Sequence, residues 1–270
     1  MKSLVERSPR RVESRQNARI KELRAGLSRG VRTASNQVAI EGLHLAQEAV
    51  KSGLTLHIVF VREGSEGLLE QLALGNAEVL LVPEDVFASA TATEHPQGIA
   101  ALVETPKFTL QAVLAGTPLV VIAAGLQDPG NLGTLVRSAE AFGATGMILL
   151  PGTVSLWNAK TLRASSGSAF RLPVITLPAE EAFAALRAQG VRILAAVARD
   201  GANEPNFRGP SALLVGNEGA GLPEPWMQSA DERVTIPCPG AVESLNAAVA
   251  GSVLLYEAMR QRIANGGTNA

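Results

Sequence analysis

The chain has 270 residues, which is long enough for two domains with separate hydrophobic cores. Its composition, 46% hydrophobic and 18% charged, is that of a soluble globular protein, and no apolar run reaches the roughly 18 residues of a membrane span. The single cysteine excludes an internal disulfide and, with only three histidines, disfavours a zinc site. We therefore expect a cytoplasmic protein with no signal peptide, no membrane segment and no metal.

Positive charge is concentrated at the N-terminus, although the net charge of the whole chain is −1. Residues 1–35 contain ten Lys and Arg against three Glu, and the spacing of Ile20, Leu23 and Leu27 predicts a helix over 14–27. A basic segment of this kind is either a solvated tail or a surface for nucleic-acid phosphates. On the second interpretation the candidate contacts are Arg10, Arg11, Arg15 and Arg19.

Strands and helices alternate after the basic segment. The predicted strands lie at 37–40, 56–61, 78–82 and 97–103, and the predicted helices lie at 43–52, at 65–74 and directly after Glu84. This alternation predicts a small α/β/α sandwich with a mostly parallel sheet, over residues 1–104. Residues 105–117 show little alternation, and we interpret them as a linker.

A second alternating region runs from 118 to 264. Its predicted strands lie at 118–124, 146–150, 173–177, 191–197, 211–215 and 233–236, and its predicted helices at 129–142, 158–164, 179–189, 223–229 and 243–263. No Gly-x-Gly-x-x-Gly sequence joins its first strand to its first helix, so a dinucleotide-binding interpretation fails. Residues 265–270 are expected to form a disordered tail.

Three polar motifs each follow a predicted strand of this second region. The first, residues 127–137 (Gln-Asp-Pro-Gly-Asn-Leu-Gly-Thr-Leu-Val-Arg), begins with an Asp-Pro pair that suits a helix start. The second, residues 216–221 (Gly-Asn-Glu-Gly-Ala-Gly), can form a turn whose backbone approaches a ligand. The third, residues 236–240 (Ile-Pro-Cys-Pro-Gly), is a rigid loop that leads to Ser-Leu-Asn at 244–246.

Asn-x-Gly-x-x-x-Arg, Gly-Asn-Glu-Gly and Ser-Leu-Asn, in this order, resemble the motifs of the SpoU/TrmH family of RNA ribose methyltransferases. The resemblance covers the chain from about Arg15 to Arg262 and implies an α/β knot (a deep trefoil) in the C-terminal domain. It also implies S-adenosyl-L-methionine as cofactor, 2′-O-methylation of structured RNA, and a homodimer formed through the knotted domain. Ile-Glu-Gly at 40–42 looks like part of the family's RNA substrate-binding domain, whose fold resembles small ribosomal RNA-binding proteins.

The resemblance also assigns roles to individual residues, each of which has an ordinary alternative as turn glycine, strand core or helix core. The cofactor contacts it implies are Gly216, Asn217, Gly219, Ile236, Pro237 and Leu245. The catalytic candidates are Asn131, Arg137, Glu218, Ser244 and Asn246.

Arg137 has two possible roles in such a site. The matching arginine of the family has been cast as the base that takes the hydroxyl proton. Because a free guanidinium holds its proton with a pKa above ~12, a clamp that grips a substrate phosphate is chemically easier. The sequence does not decide between these roles.

Arg163 precedes Ser-Ser-Gly at 165–167 and matches a family position near the substrate, or it simply ends a helix before a glycine turn. For the substrate, rRNA is favoured over tRNA. The alternative functions are a catalytically silent RNA-binding protein and an enzyme that methylates a base nitrogen. Intact Asn131, Arg137, Glu218 and Asn246 argue against the first alternative, and the motif from Asn131 to Arg137 argues against the second.

Overall fold

The computed structural model describes residues 9–33, 35–91, 93, 96–217, 219, 221–242 and 244–264. The start of the basic segment, Glu218 and the C-terminal tail lie outside these ranges. The chain divides into two compact units: unit 1 is Met1–Pro106 with Ser155–Phe170, and unit 2 is Lys107–Val154 with Arg171–Ala270. The sequence-based boundaries differ in two respects: they assign 155–170 to the second domain, and they treat 105–117 as a linker, whereas most of it belongs to unit 2 and includes a helix at Leu110–Val113.

The secondary structure follows the predicted order. The strands are β1 Arg10–Arg11, β2 Gln37–Glu41, β3 Leu56–Arg62, β4 Glu78–Val82, β5 Ile99–Glu104, β6 Leu119–Ala124, β7 Gly146–Leu149, β8 Val174–Thr176, β9 Arg192–Ala196, β10 Ser211–Gly216 and β11 Glu232–Val234. The helices are α1 Ala18–Arg29, α2 Leu43–Lys51, α3 Glu84–Ala90, α4 Leu110–Val113, α5 Pro129–Ala141, α6 Ala159–Ser165, α7 Ala179–Ala188, α8 Glu224–Gln228 and α9 Ala247–Ala264. The predicted helix at 65–74 is a 3₁₀ helix, Glu66–Gln71.

Unit 1 contains a five-stranded sheet in the order β1-β4-β3-β5-β2. The sheet is mixed: β4 pairs parallel with β1 and β3, and β5 pairs antiparallel with both β2 and β3, so four of these five strands run in the same direction, as the expectation of a mostly parallel sheet required, and β5 runs the opposite way. The apolar pattern of a strand shows that it is buried and carries no information on its direction. The short strand β1 extends the sheet with part of the basic segment, and no strand was predicted there.

Helices α1 and α3 pack on one face of this sheet. Their buried residues form a core with alternate residues of the strands, such as Ile58 and Phe60 of β3 and Leu80 of β4. Helix α2 packs against β2, β3 and β5. Helix α6, from the 155–170 segment, packs against β2 and contributes Ala159 to the same core as α1 and α3.

Unit 2 contains a six-stranded sheet in the order β11-β9-β10-β6-β7-β8, and every pairing in it is parallel. All six predicted strands are confirmed, with ends that differ by a residue or two. Strands buried on both faces appear in the sequence as continuous apolar runs, and β6, Leu-Val-Val-Ile-Ala-Ala, is buried throughout. Parallel strands also bring all their carboxyl ends to one edge of the sheet.

The first and last helices of this parallel region, α5 and α9, pack against each other. The contact is close, because a Cβ added to Gly251 of α9 would lie 2.6 Å from Cδ1 of Leu135 in α5. The C-terminal end of α9 is held by Arg262, whose guanidinium donates to the carbonyl oxygens of Thr117, Pro118, Phe207 and Gly209 at 2.8–3.0 Å. Among the described residues, no helix combines the length and apolarity needed to cross a membrane.

Candidate functional site

A cavity of about 430 Å³ lies in unit 2 at the carboxyl ends of β9, β10 and β11. Its volume is in the range of small-molecule sites. It brings together six predicted site residues from two of the three motifs: Gly216, Asn217, Gly219, Ile236, Ser244 and Leu245.

Asn217 organises one wall of the cavity. Its side-chain amide donates to the carbonyl oxygen of Gly125 at 3.0 Å, which connects the end of β10 to the end of β6. Its Oδ1 accepts from the N–H of Gly219 at 2.8 Å, and its carbonyl oxygen accepts from the N–H of Gly221 at 3.0 Å. These three bonds fold the glycine-rich loop back on itself.

Gly216 is required by this fold of the loop. A Cβ at position 216 would lie 2.8 Å from the carbonyl oxygen of Gly221 and 2.8 Å from Cγ of Leu222. A Cβ at Gly219, by contrast, would meet only Oδ1 of Asn217, at an ordinary 3.6 Å. A side chain at position 216 would therefore clash with the loop, whereas a methyl group at position 219 would not, although both glycines line the cavity.

The third motif supplies the opposite wall with Ile236, Cys238, Ser244 and Leu245. Pro237 does not line this cavity. It lines an adjacent one of about 390 Å³, which shares Ile236 and Cys238 with the first. The structure thus places all predicted cofactor residues in or beside one region.

Asn131 and Asn246 form a hydrogen-bonded pair at the starts of α5 and α9. Nδ2 of Asn246 donates to Oδ1 of Asn131 at 3.1 Å, and Oδ1 of Asn246 accepts from the N–H groups of Ala248 and Val249. Asn246 therefore caps α9, which begins at Ala247 rather than at the predicted residue 243. Neither asparagine lines the cavity.

Arg137 lies on α5 two turns after Asn131, roughly 9 Å further along the helix axis. Its side chain is exposed, as the helical spacing predicted. It does not line the cavity, and within the described ranges it forms no ion pair. The structure of one chain therefore does not bring Arg137 into contact with the cofactor-motif residues.

The predicted RNA contacts belong to unit 1. The four basic-segment arginines each pair with carboxylates of that unit: Arg10 with Glu78, Arg11 with Glu13 and Glu63, Arg15 with Asp85, and Arg19 with Glu22 and Glu78. The hydrogen bond to Glu63 raises the pKa of Arg11. Arg163 is exposed at the end of α6.

Several lining residues were not predicted. They are Ala196, Val197 and Ala198 after β9, Val215 and Leu222 beside the glycine loop, Met227 of α8, and Val234 and Thr235 before the third motif. The end of β9 reaches the cavity because β9 lies between β10 and β11, an order that no local sequence pattern reports.

Three groups at the C-terminal end of α9, Glu257, Arg260 and Arg262, have shifted pKa values, and the hydrogen bond to Glu257 raises the pKa of Arg260. Hydrogen bonds from Arg260, and secondly from Gln261, lower the pKa of Glu257 to about 2, and burial lowers the pKa of Arg262. The cavity is instead lined by the first turns of α9, through Ala247, Ala250 and Leu254. In the described part of the chain, no cluster of His, Cys, Asp or Glu is arranged to hold a metal ion.

Comparison with known proteins gives matches over both regions of the chain. The SpoU rRNA Methylase family matches residues 118–256, and the MRM3-like substrate binding domain matches residues 17–101. The chain is 35% identical to the Bacillus subtilis 23S rRNA (guanosine(2553)-2′-O)-methyltransferase RlmP, over 92% of this chain and 98% of the relative. It is 33% identical to a Streptomyces viridochromogenes 23S rRNA (uridine(2479)-2′-O)-methyltransferase, over 97% and 96%.

Among solved structures, the SpoU methyltransferase AviRb from Streptomyces viridochromogenes, in complex with the cofactor AdoMet, is similar with a TM-score of 0.80. The sequence identity is 30%, and the match covers 92% of this chain and 99% of that chain. The parallel fold with a cavity at its strand ends thus defines an α/β protein of the methyltransferase class. The chain belongs to the SpoU rRNA methylase family, which confirms the resemblance of its motifs.

The difference between Gly216 and Gly219 yields a test of the cavity. In Gly216→Val the side chain must displace Gly221 and Leu222, so we expect the affinity for S-adenosylhomocysteine to fall by at least ~10-fold. Gly219→Ala is the matched control and should bind within a few-fold of wild type. Calorimetry measures binding, and thermal unfolding verifies that both variants fold. Normal binding by folded Gly216→Val would show that the ligand lies elsewhere.

Proposed function

We propose that the protein transfers a methyl group from S-adenosylmethionine to a ribose 2′-hydroxyl of rRNA. The observation that carries the proposal is the meeting of the second and third motifs at one cavity, in a chain whose full-length relatives are named 23S rRNA 2′-O-methyltransferases. The N-terminal domain, 1–104, binds the RNA, and the domain 118–264 holds the cofactor and performs the reaction in the cytoplasm.

The cavity suits a cofactor that has both polar and apolar parts. The backbone groups around Gly216 and Gly219 can hydrogen-bond to a ligand, while Leu222, Ile236 and Leu245 give apolar surface for a flat ring. S-adenosylmethionine supplies an electrophilic methyl group when bound there. The chain must then hold the acceptor hydroxyl in line with that methyl group and provide for loss of its proton.

Arg137, Ser244 and the asparagine pair are the residues proposed for this second task, together with Glu218. Ser244 is exposed at the cavity and can hydrogen-bond to a ligand. The hydrogen bond between Asn131 and Asn246 fixes the starts of α5 and α9, and therefore the helix that carries Arg137. Arg137 itself orients the hydroxyl, by gripping a neighbouring phosphate or by taking the proton.

Tritiated S-adenosylmethionine and RNA from a strain that lacks this protein provide the direct test. We expect label in 23S rRNA, and nucleoside mass spectrometry should show a methyl group that is lost with the sugar. A methyl group that stays with the base contradicts ribose methylation. Label in tRNA alone overturns the choice of rRNA, and absence of any label leaves a silent RNA-binding protein.

Substitution of Arg137 tests the site and its mechanism. In Arg137→Ala, turnover should collapse while cofactor binding persists, and the free energy of unfolding should fall by less than ~1 kcal/mol because the side chain is exposed. Arg137→Lys distinguishes the two roles. A phosphate clamp loses its planar fork, so activity should stay near zero at every pH, whereas a base should recover activity as the pH rises. Wild-type turnover by Arg137→Ala would remove it from the site.

A homodimer through the knotted domain forms the second part of the proposal, and it would complete each site near the partner chain. The support from the fold is a row of exposed apolar side chains along α9, at Val249, Val253, Tyr256 and Ile263, which are 42–56% exposed. Their spacing places them on one face of the helix, opposite its contact with β10. A second copy of this domain, with the same apolar row, would cover that face.

Charge placed in this row tests the dimer. Val253→Asp would bury a carboxylate in the interface, so we expect light scattering to show a shift from dimer to monomer, with loss of turnover. Val31→Asp, at an equally exposed valine outside α9, is the control and should stay dimeric. A monomeric wild-type protein would contradict the proposal.

The basic segment is proposed to bind RNA phosphates. Exposed ion pairs contribute little to stability, so Arg10, Arg11, Arg15 and Arg19 can exchange their carboxylate partners for phosphates at small cost. Replacing all four by Ala should lower the slope of log affinity against log salt by ~3 units, with S-adenosylhomocysteine binding unchanged. An unchanged slope would contradict the proposal, because it would mean that these arginines keep their carboxylate partners when RNA is bound.

A further inference from the structure

Two stretches of the chain without acidic residues meet in unit 1. Neither 23–40 nor 141–179 contains Asp or Glu. They meet where α1 ends at Gly30, which has φ 61° and caps the helix by donating to the carbonyl oxygen of Gly26. A Cβ at Gly30 would lie 2.7 Å from Cα of Asn158, the residue that caps α6. Only glycine permits this approach, so the end of α1 and the start of α6 are held together.

The contact fixes an aromatic residue beside an arginine. The hydroxyl of Ser155 donates to the carbonyl oxygen of Gly30 at 2.6 Å and accepts from the N–H of Trp157 at 3.2 Å. Cζ of Arg32 lies 5.4 Å from the centre of the Trp157 ring, within the range of cation–π interactions. Nη1 of Arg32 donates to Oδ1 of Asn36 at 3.1 Å, which orients the guanidinium.

The charge of Arg32 is not neutralised by a neighbouring carboxylate. In the part of the chain that the structure describes, neither Arg32 nor Arg29 forms an ion pair, and both are exposed. They differ in this from Arg10, Arg11, Arg15 and Arg19, each of which has a carboxylate partner. Trp157 is itself partly exposed, so part of its side chain is accessible to a ligand.

We propose that Arg32 and Trp157 form a stacking site for an unpaired nucleobase of the RNA substrate, and that Arg29 contacts a flanking phosphate. The proposal rests on the proposed function, because it takes RNA as the ligand. Proteins recognise unpaired RNA bases by stacking them on aromatic rings and guanidinium planes, and the adjacent phosphate requires a cation that is free to pair. The pair offers an aromatic ring and a guanidinium plane, and neither Arg29 nor Arg32 has a carboxylate partner among the described residues, which favours a polyanion.

Tryptophan fluorescence tests the contact directly, because Trp157 and Trp226 are the two tryptophans of the chain. Trp226→Phe leaves Trp157 as the only indole, and short fragments of 23S rRNA should quench its emission as they bind. In Trp157→Phe the same fragments should leave the emission of Trp226 unchanged. Unchanged Trp157 emission at saturation, with binding verified by filter retention, would overturn the proposal.

Affinity for the same fragments tests the energetic role. Trp157→Leu should weaken binding by ~10-fold, the loss expected for one stacked base. Arg32→Ala should weaken binding and lower the salt slope by ~0.7, whereas Arg32→Lys should keep the slope and still lose affinity, because lysine has no planar face. Arg208→Ala, an exposed arginine of unit 2, is the matched control and should bind as wild type.

The competing explanation is that the pair only holds the 155–170 segment against α1. In that case Trp157→Leu and Arg32→Ala lower the unfolding temperature and leave RNA affinity within about twofold of wild type, which overturns the stacking site. A methyl-transfer assay on the same fragments distinguishes failure of the stacking proposal from failure of the proposed function. A wild-type protein that methylates the fragments while its Trp157 is not quenched contradicts the stacking site alone. A wild-type protein that neither binds nor methylates them contradicts both.

Discussion

The hydrogen bond from the Asn217 amide to the Gly125 carbonyl is the constraint on which the site depends. Strands β6 and β10 pair in parallel up to Ala124 and Gly216, so this bond continues their pairing by one position with a side chain in place of the backbone. The same residue then accepts from Gly219 and Gly221 and turns the chain into a loop. An ionised carboxylate at 217 could accept the hydrogen bond from Gly219 but could not donate one to the Gly125 carbonyl.

The motif residues therefore have structural roles that are independent of the chemistry. Asn246 caps α9 and joins it to Asn131, Gly251 permits the close approach of Leu135, and Gly216 permits the return of Gly221. Loss of activity on changing any of these residues would not by itself identify a catalytic group. Arg137 and Ser244 differ, because they are exposed and no structural role in the described chain requires them. They are the positions at which a mutation reports on the reaction.

The sequence predicted the strands and helices of unit 2 well, but it did not predict the spatial order of the strands in the sheet. Continuous apolar runs bounded by glycine and proline located each strand, and two of the three motifs met in one cavity because parallel strands align their carboxyl ends. Strand order depends on long-range pairing, so the contribution of Ala196 to Ala198 could not be inferred. The antiparallel direction of β5 and the grouping of 155–170 with unit 1 were missed for the same reason. Apolar periodicity indicates which residues are buried, but it does not indicate which strand or helix they pair with or pack against.

The distribution of charge along the sequence was also an incomplete guide to the charged surface of the folded chain. Ten basic residues within the first 35 suggested one positive surface, yet four of the arginines are matched by carboxylates that lie up to 70 residues away along the chain. Arg29 and Arg32 belong to the same segment and have no such partner within the described ranges. A polyanion approaching unit 1 thus meets two kinds of cation, one that must first exchange a carboxylate and one that is available at once. Electrostatic steering depends on the summed field of both kinds, whereas tight local contact is favoured where no carboxylate competes. Local recognition is therefore expected at Arg32, beside Trp157, and at Arg29, whereas the paired arginines contribute mainly to long-range attraction.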